Sequence, residues 1–418
     1  MFKNFYLQYF DEYILKLNKL KIFNDPIYGF VTLPNELIFD LIQHPFFQRL
    51  RRISQMGLSY LVYPGAHHTR FQHAIGCMHL MQKAVSVLRF KGILISDDEE
   101  NALYIAILLH DIGHGPFSHA MEHSIVDGIS HEEISVLFMQ ELNKQFDNKL
   151  SLAIQVFKGE YHRRFMLQLI SSQLDMDRLD YLKRDSFYSG VEEGKINSDR
   201  IIQMMTVVDD KLVIEEKALY SVEKFLMSRR LMYWQVYFHK TSLVSELILT
   251  KILKRSKELS FRGIEIECSQ NLKFFIANKI PLNDVENLKK FAQLDDYDII
   301  SALKIWQNHD DYVLSELSRM LINRDLPKIK IVSEKVSSKE VDALVQVFAT
   351  KKNISASDAK YFVFNGKIKN QAYNKSAQPI DILKKNGLVQ EIIEISEQLN
   401  VNVLTKPVTK FFIVMPKE

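Results

Sequence analysis

An imidazole and a carboxylate stand side by side at His110-Asp111, where the apolar run Ala102 to Leu109 meets Gly113, Gly115 and Pro116. The glycines and the proline stop a helix, so both side chains can turn toward one point at its frayed end. An imidazole nitrogen and a carboxylate oxygen aimed at one point are mixed ligands that suit a divalent metal. The dipeptide alone is common; its company makes it informative. Upstream, Arg70-Phe71-Gln72-His73 opens a helix that continues through Ala74 to Arg89, and the spacing of Arg70 and His73 puts them on one face. Downstream, Leu174-Asp175-Met176-Asp177-Arg178-Leu179-Asp180-Tyr181 again has helical character. The chain therefore carries an ordered quartet of His73, His110, Asp111 and Asp177. Cys77 falls on the face of His73 and reads as a buried free thiol rather than a ligand.

Three further histidines, His114, His119 and His131, follow the pair, with Glu122 and Glu132 nearby. A near-neutral pKa makes histidine the natural proton donor to a leaving oxygen. His123 suits a surface position after a helix end, and His44, His67, His68, His79 and His162 read as structural or exposed. Beyond Asp177, the residues Arg178, Tyr181 and Asp185 recur at helical intervals, and Arg229, Tyr233, Tyr237 and Lys240 form a second such stripe. Basic groups with an aromatic between them suit a phosphate chain leading to a sugar.

The elements that must hold these residues are mostly helical. Ile22 to Leu33, with Asp25-Pro26 and Gly29, reads as a short hairpin. From Pro45 the period is helical, with Phe46, Leu50 and Ile53 as an apolar stripe and Gln48, Arg51, Arg52 and Gln55 on another face. Helical patterns dominate to about Asn323, broken at Tyr63-Pro64-Gly65, Gly113 to Pro116, Ser189 to Asn197 and near Gly263. After Leu326-Pro327 the texture changes: Lys328 to Val332 alternates like a strand, Ser338 to Thr350 like a helix, and Tyr361 to Phe364 and Phe411 to Met415 like strands. The expected fold is mainly α, a helical body over 1–325 with its functional core at about 45–190, followed by a small α/β lobe over 326–418.

The gross numbers agree with that division. A chain of 418 residues exceeds one ordinary core, and 47% hydrophobic with 25% charged residues is the composition of a globular protein. The 54 basic residues nearly balance 51 acidic ones, so nucleic acid is not indicated and anion binding must come from local placement. Two cysteines, Cys77 and Cys268, cannot build a disulfide framework. Met1 to Leu20 lack the basic start and apolar stretch of a signal peptide, and no apolar run is long enough for a bilayer, about 20 residues. The expectation is a cytoplasmic protein with no membrane association.

In this order the quartet resembles that of the HD-domain metal-dependent phosphohydrolases. The resemblance extends to the deoxynucleoside triphosphate triphosphohydrolases of that superfamily, including the vertebrate members that join an HD domain to a sterile alpha motif. It is carried by Lys21-Ile22-Phe23-Asn24-Asp25-Pro26-Ile27-Tyr28-Gly29, Pro64-Gly65-Ala66, Gly115-Pro116-Phe117-Ser118-His119, His131-Glu132, Asp185 and the stretch from Arg229 to Lys240, so it covers the N-terminal part through Lys240. It implies an HD-domain helical body and the reaction dNTP plus water giving deoxynucleoside plus tripolyphosphate. It also implies one transition cation (Fe, Mn or Zn) on His73, His110, Asp111 and Asp177, with Mg²⁺ accompanying the substrate phosphates. By resemblance His119 is the general acid, oriented by Glu122 and Glu132, while His114 and His131 line the phosphate site. Arg70, Arg178 and Arg229 then bind phosphates with help from Tyr181, Gln55 and Asp185 read the 3′-hydroxyl, Met56 walls the sugar, and Tyr237 excludes a ribose 2′-hydroxyl. Two positions depart from the family: Glu122 stands where it has Asp, and Arg178 where the vertebrate members have lysine.

The resemblance further implies a homo-oligomer, tetramer or dimer, with a nucleotide activator bound between subunits. Lys21, Asn24, Gln48 and Arg51 match that allosteric site, but Gln43 replaces its guanine-reading aspartate. A carboxylate accepts from both the N1 and N2 hydrogens of guanine, whereas an amide offers one acceptor and one donor. Two other readings keep part of the pattern. Another phosphohydrolase of the superfamily, acting on a phosphomonoester or cyclic dinucleotide, needs the quartet but neither Gln55 nor the Arg229/Tyr237 stripe. A non-enzymatic nucleotide-binding regulator needs the basic residues but can lose the metal.

Overall fold

The computed structural model describes residues 21–122, 124, 128–278, 282, 284–374, 378–396 and 404–417, without the side chains of His119 and Glu122. The expectation for Met1 to Leu20 falls outside these residues. The first described element is the hairpin β1 (Ile22–Asp25) and β2 (Gly29–Thr32), paired antiparallel from Ile22 opposite Thr32 to Asp25 opposite Gly29. Helix α1 (Glu36–Gln43) follows, capped by the Asn35 side chain on the Ile38 N–H at 3.0 Å.

The expected helix from Pro45 is cut short. It runs only over Pro45–Gln48 before tightening to a 3-10 turn at Arg49–Arg52. The tightening turns Arg49 inward, fully buried, where Nη2 donates to Ile112 O at 2.7 Å and Nη1 to His114 O at 2.9 Å. The chain then leaves extended, and Arg70 N–H donates to Ile53 O while Gln55 N–H donates to His68 O, each at 3.0 Å.

Two helices form the centre. Helix α2 (Arg70–Phe90) opens where the Gln72 side chain accepts the Thr69 N–H at 2.8 Å. Helix α3 (Asp97–Leu109) opens on Ser96 and Glu99, with four acidic residues in its first turn to complement the helix dipole. Most residues of both are buried, the pattern of helices wrapped by others rather than lying on a surface. Around them lie α4 (Ser118–Glu122), α5 (His131–Gln145), α6 (Met176–Ser189), α7 (Leu219–Met232), α8 (Lys240–Phe261) and α9 (Asp296–Trp306). No described helix is long and apolar enough to cross a membrane.

A hairpin that the helical reading passed over lies between α6 and α7. Strands β3 (Met205–Val208) and β4 (Lys211–Glu215) turn through Asp209 and Asp210, with φ of 48° and 59°. Two consecutive positive φ values make the tight turn that suits a twisted hairpin, and Asp tolerates them.

Beyond Leu326 the strand and helix expectations hold with one correction. Strand β5 (Lys328–Val332), α10 (Ser338–Lys352), β6 (Phe364–Asn370) and β9 (Val408–Met415) form a three-stranded antiparallel sheet, β5-β9-β6, and a helix. Tyr361 to Val363 are not strand. Their N–H groups bond back to Asp358 and Ala359 in a helical turn, and the ladder starts at Phe364. Strands β7 (Asp381–Leu383) and β8 (Val389–Glu391) extend the earlier hairpin instead, since β7 pairs parallel to β4. One sheet thus carries strands from either side of residue 325.

Candidate metal and phosphate centre

Helices α2, α3 and α6 bring the quartet together at one buried place. His73 lies in the first turn of α2, and its Nδ1–H donates to Asp180 Oδ2 at 2.7 Å. That fixes the tautomer, so the Nε2 lone pair faces Asp177 Oδ1 at 3.1 Å and Asp111 Oδ2 at 3.8 Å. His110 caps α3, and its Nδ1–H donates to Ile107 O at 2.6 Å. Its Nε2 is buried without a hydrogen-bond partner, 3.3 Å from Asp111 Oδ1 and 3.7 Å from Asp177 Oδ1. Imidazole and carboxylate lone pairs that converge out of water repel unless a proton or a metal cation lies among them. The donor set fits a divalent transition ion, with the second nitrogen of each ring anchored as metal-binding histidines require.

Burial opposes ionisation of Asp177, but the neighbouring imidazoles of His110 and His73 hold its carboxyl well below the usual carboxylate range. Asp180, equally buried, is held down to about 2 by Arg184 and His73. Cys77 Sγ lies 3.5 Å from both ring nitrogens of His73, close enough to His73, His110 and Asp177 to share one cation with them. Burial pushes this thiol far up, so it stays protonated, as the sequence suggested.

Asp111 links the quartet to a second cluster. Its Oδ2 accepts from Arg70 Nη1 at 2.5 Å, and Oδ1 lies 3.4 Å from His114 Nε2. The His114 and His131 rings stack with centroids 3.9 Å apart, and their nitrogens lie close enough to Asp111 to share one cation. Burial and then the Arg70 cation push His114 down to about 3, so its ring is neutral at pH 7. Glu132 is exposed and pairs with His131 at 3.3 Å. The orienting roles assigned to Glu122 and the acid role of His119 concern side chains outside the described ones.

Two glycines let these elements meet. A Cβ on Gly113 lies 2.2 Å from His131 O and 2.4 Å from Ser135 N. Helix α5 thus crosses directly over the turn after Asp111, tied there by Ser135 Oγ, which donates to His110 O at 2.7 Å. On α2, a Cβ on Gly76 lies 2.1 Å from Asp180 Oδ1 and 2.2 Å from Arg184 Nη2. We expect Gly76→Ala to cost about 1–3 kcal/mol in urea unfolding, because the crowded atoms belong to a buried ion pair that has nowhere to move. An unchanged urea midpoint refutes this close approach of α6 to α2.

Several residues to which the resemblance assigns phosphate or sugar binding touch one another. Tyr237 Oη donates to Asp185 Oδ2 at 2.7 Å, and His68 Nε2 meets Asp185 Oδ1 at 2.7 Å while its ring stacks on Tyr188. Tyr181 is edge-on to Tyr237, with ring centroids 6.3 Å apart. A π-helical turn at Tyr233–Tyr237, just after α7, places Tyr237 there. Met56 is buried beside Gln55, whose Oε1 is buried without a partner. The Nε atoms of Arg70 and Arg229 are likewise buried and unpartnered. Arg229 Nη1 reaches Gln173 Oε1 at 3.3 Å and Ala372 O at 3.2 Å, so the C-terminal part touches this site. Arg178 donates through Nε to Ser172 O at 2.6 Å and Asp175 at 3.2 Å.

His68, Asp180 and Gln173 were missed by sequence reasoning. Asp180 had a signal, since its spacing from Asp177 puts both carboxylates on one helix face. His68 and Gln173 had none. The allosteric candidates lie in the segment from Lys21 to the 3-10 turn at Arg49–Arg52. Lys21 lies over the Phe39 ring at 4.4 Å, and Arg51 lies over Phe71 at 3.5 Å and donates to Gln48 Oε1 at 2.9 Å. Phe71 in turn meets Phe23 of the hairpin edge-on, while Asn24 and Gln43 are exposed nearby in the chain.

Comparison with known proteins agrees with this geometry. Residues 70–185 match the HD domain, and residues 196–266 match the HD-associated region. The crystal structure of a phosphohydrolase from Bacteroides thetaiotaomicron is 50% identical with a TM-score of 0.92, covering 96% of this chain and 100% of that one. An uncharacterized Bacillus subtilis protein is 35% identical over 90% of this chain and 88% of its own length. A deoxynucleoside triphosphate triphosphohydrolase homologue of Dictyostelium discoideum is 31% identical over 55% of this chain, which spans only 48% of that protein's length. With its buried His and Asp cluster at the junction of three helices, the chain belongs to the HD-domain family of metal-dependent phosphohydrolases.

Proposed function

We propose that this protein hydrolyses deoxynucleoside triphosphates to deoxynucleoside and tripolyphosphate. The observation that carries the reading is the set of buried polar atoms without a hydrogen-bond partner at Gln55 Oε1, Arg70 Nε and Arg229 Nε, beside the His/Asp cluster with its unpartnered His110 Nε2 and the Tyr237–Asp185 pair. Buried polar groups are costly without partners, about 1–3 kcal/mol each, and a phosphorylated nucleoside supplies partners to Gln55, Arg70 and Arg229, while a cation supplies one to His110. The triphosphohydrolase relatives support the same class of substrate.

His73, His110, Asp111 and Asp177 would hold the cation. Bound there, a divalent transition ion supplies Lewis acidity toward the α-phosphate and makes water a better nucleophile near neutral pH. Arg70, already on Asp111, offers charge to the α-phosphate, and Arg178, Arg229 and the Tyr181 hydroxyl hold the rest of the chain of phosphates. Neutral His114 can accept a hydrogen bond from the attacking water. The Pα–O5′ bond breaks, and His119 gives its proton to the departing 5′-oxygen. Gln55 and Asp185 take the 3′-hydroxyl, while His68 and Tyr237 clamp the Asp185 carboxylate and the Tyr237 ring fills the space of a 2′-hydroxyl. Incubation with each dNTP and NTP, with chromatography of the products, tests the reading. Deoxynucleoside and tripolyphosphate are expected from dNTPs alone.

The same proposal includes a homo-oligomer with a nucleotide site at Lys21, Asn24, Gln43, Gln48 and Arg51. One guanine donor there meets the amide NH₂ of Gln43 or goes unpaired, so activation should show weak guanine preference or none. Each dNTP is assayed alone and with GTP, dGTP or dATP, while light scattering follows assembly. Strong activation confined to guanine nucleotides, and lost in Arg51→Ala, contradicts this expectation.

A further inference from the structure

An unbroken series of buried charges joins the N-terminal hairpin to the candidate metal centre. Asp25 closes β1 and uses its carboxylate twice. Oδ1 accepts the backbone N–H groups of Ile27 at 2.8 Å and Tyr28 at 3.0 Å, which builds the turn. Oδ2 accepts from Arg184 Nη1 at 2.9 Å. Arg184 turns its other edge to Asp180, with Nε to Oδ2 at 2.8 Å and Nη2 to Oδ1 at 3.0 Å. Asp180 Oδ2 then takes the Nδ1–H of His73 at 2.7 Å. The side chains of Arg184, Asp180 and His73 are 0% exposed and that of Asp25 is 4% exposed, so water competes for none of these bonds.

A pair that merely neutralised charge would need no more than Arg184 and Asp180. Here the guanidinium fork is gripped on two edges, which fixes its plane and hence both Asp180 oxygens. The last link is an oriented imidazole whose other nitrogen faces Asp177. The Gly76 site closes the arrangement, because α2 and α6 approach so nearly that Asp180 and Arg184 have no room to shift.

We propose that Asp25, Arg184 and Asp180 are positioning residues for His73, and that the turn of the hairpin thereby sets the cation affinity of the centre. The proposal rests on the reading of His73 as a metal ligand. Asp25 holds the turn with one oxygen and the relay with the other, so loosening the hairpin releases Arg184, then Asp180, then the ring. Asn24 is the chain neighbour of Asp25, so whatever grips the exposed edge of the hairpin acts three side chains from His73.

Co²⁺ titrated into the metal-free full chain tests this, read by its visible absorption, alongside urea unfolding of the metal-free protein. Asp25→Asn keeps an oxygen for the turn but removes the charge that holds Arg184, and Asp180→Asn removes the charge facing His73. Each should weaken Co²⁺ binding about 10- to 100-fold, the usual loss for a group that orients a metal-binding histidine. The double variant should weaken it by far less than the product of the two, because both cut one relay. Should Asp25→Asn fail to fold, Arg184→Lys keeps the buried charge, loses the fork, and should show the same weakening. Co²⁺ affinity within twofold of wild type in Asp25→Asn or Arg184→Lys, with only the unfolding midpoint lowered, overturns the proposal. So do independent, multiplicative effects in the double variant. Failure of the ligand reading looks different: the wild-type chain then binds Co²⁺ no better than His110→Ala.

Discussion

Replacing His110 and Asp111 together with alanine is expected to remove the bound transition cation and abolish phosphohydrolysis while the helical body stays folded. The two side chains stand where α3 ends, and each is 8% exposed, so their deletion empties polar volume at a helix end rather than apolar core. The main structural cost is at Arg70, which loses the carboxylate on its Nη1 and keeps Ser118 Oγ at 3.2 Å. Such a loss is worth about 1–3 kcal/mol. Circular dichroism should therefore be unchanged, with a lower urea midpoint. Removing the pair takes one nitrogen and one carboxylate from the cluster and leaves His73 and Asp177, too few anchors for tight binding. Elemental analysis of the purified double variant decides the matter. Full metal occupancy means that the quartet does not hold the cation.

How much of this was legible beforehand depended on whether the signal was local. The helices through Arg70 and Asp97 announce themselves by long apolar faces and by Ser96/Glu99 spacing, and the turn after Asp111 by its glycines and proline. Each of those is decided within a few residues. Arg49 shows where that logic stops. It lies within the helical pattern that starts at Pro45, yet it is sunk between the Phe138 and Phe291 rings to bind two carbonyls of the turn after Asp111. Burial pushes its guanidinium down to about 9, a cost accepted because those carbonyls have few other donors. Partners that lie far off in sequence dictate that choice, and no window of sequence contains them. The turn at Asp209-Asp210 is different. It carried a local signal, two turn-forming residues between Val207-Val208 and Leu212-Val213, which the surrounding helical period obscured. Within the site, residue types and order were enough for the quartet. The clamp of His68 on Asp185 was not, since one of two adjacent histidines is buried only because Tyr188 stacks on it.

The bond that breaks is the sharpest test of the proposed reaction. Attack at the α-phosphate with departure of the 5′-oxygen gives deoxynucleoside and intact tripolyphosphate, whereas a pyrophosphatase using similar groups gives deoxynucleoside monophosphate. The difference lies in which oxygen receives a proton. The 5′-oxygen of a deoxyribose is a poor leaving group and needs a general acid, while a pyrophosphate leaving group is already stabilised by charge neutralisation. In the proposed reading Arg178 and Arg229 supply that neutralisation for either route, so these residues cannot separate the two. His119→Ala can. It should slow the step by roughly two to four orders of magnitude, the range of a lost general acid, with little change in substrate affinity because the phosphate grip is intact. Tyr237→Ala, which removes the ring beside Asp185, should in turn let ribonucleotides compete. Substrate with ¹⁸O in the 5′-position completes the argument. Retention of the label in the nucleoside shows P–O5′ cleavage, and its loss to the polyphosphate shows cleavage on the carbon side. Deoxynucleoside monophosphate as the main product, or His119→Ala at wild-type rate, rules out the triphosphohydrolase reading and leaves a phosphohydrolase that cuts elsewhere in its substrate.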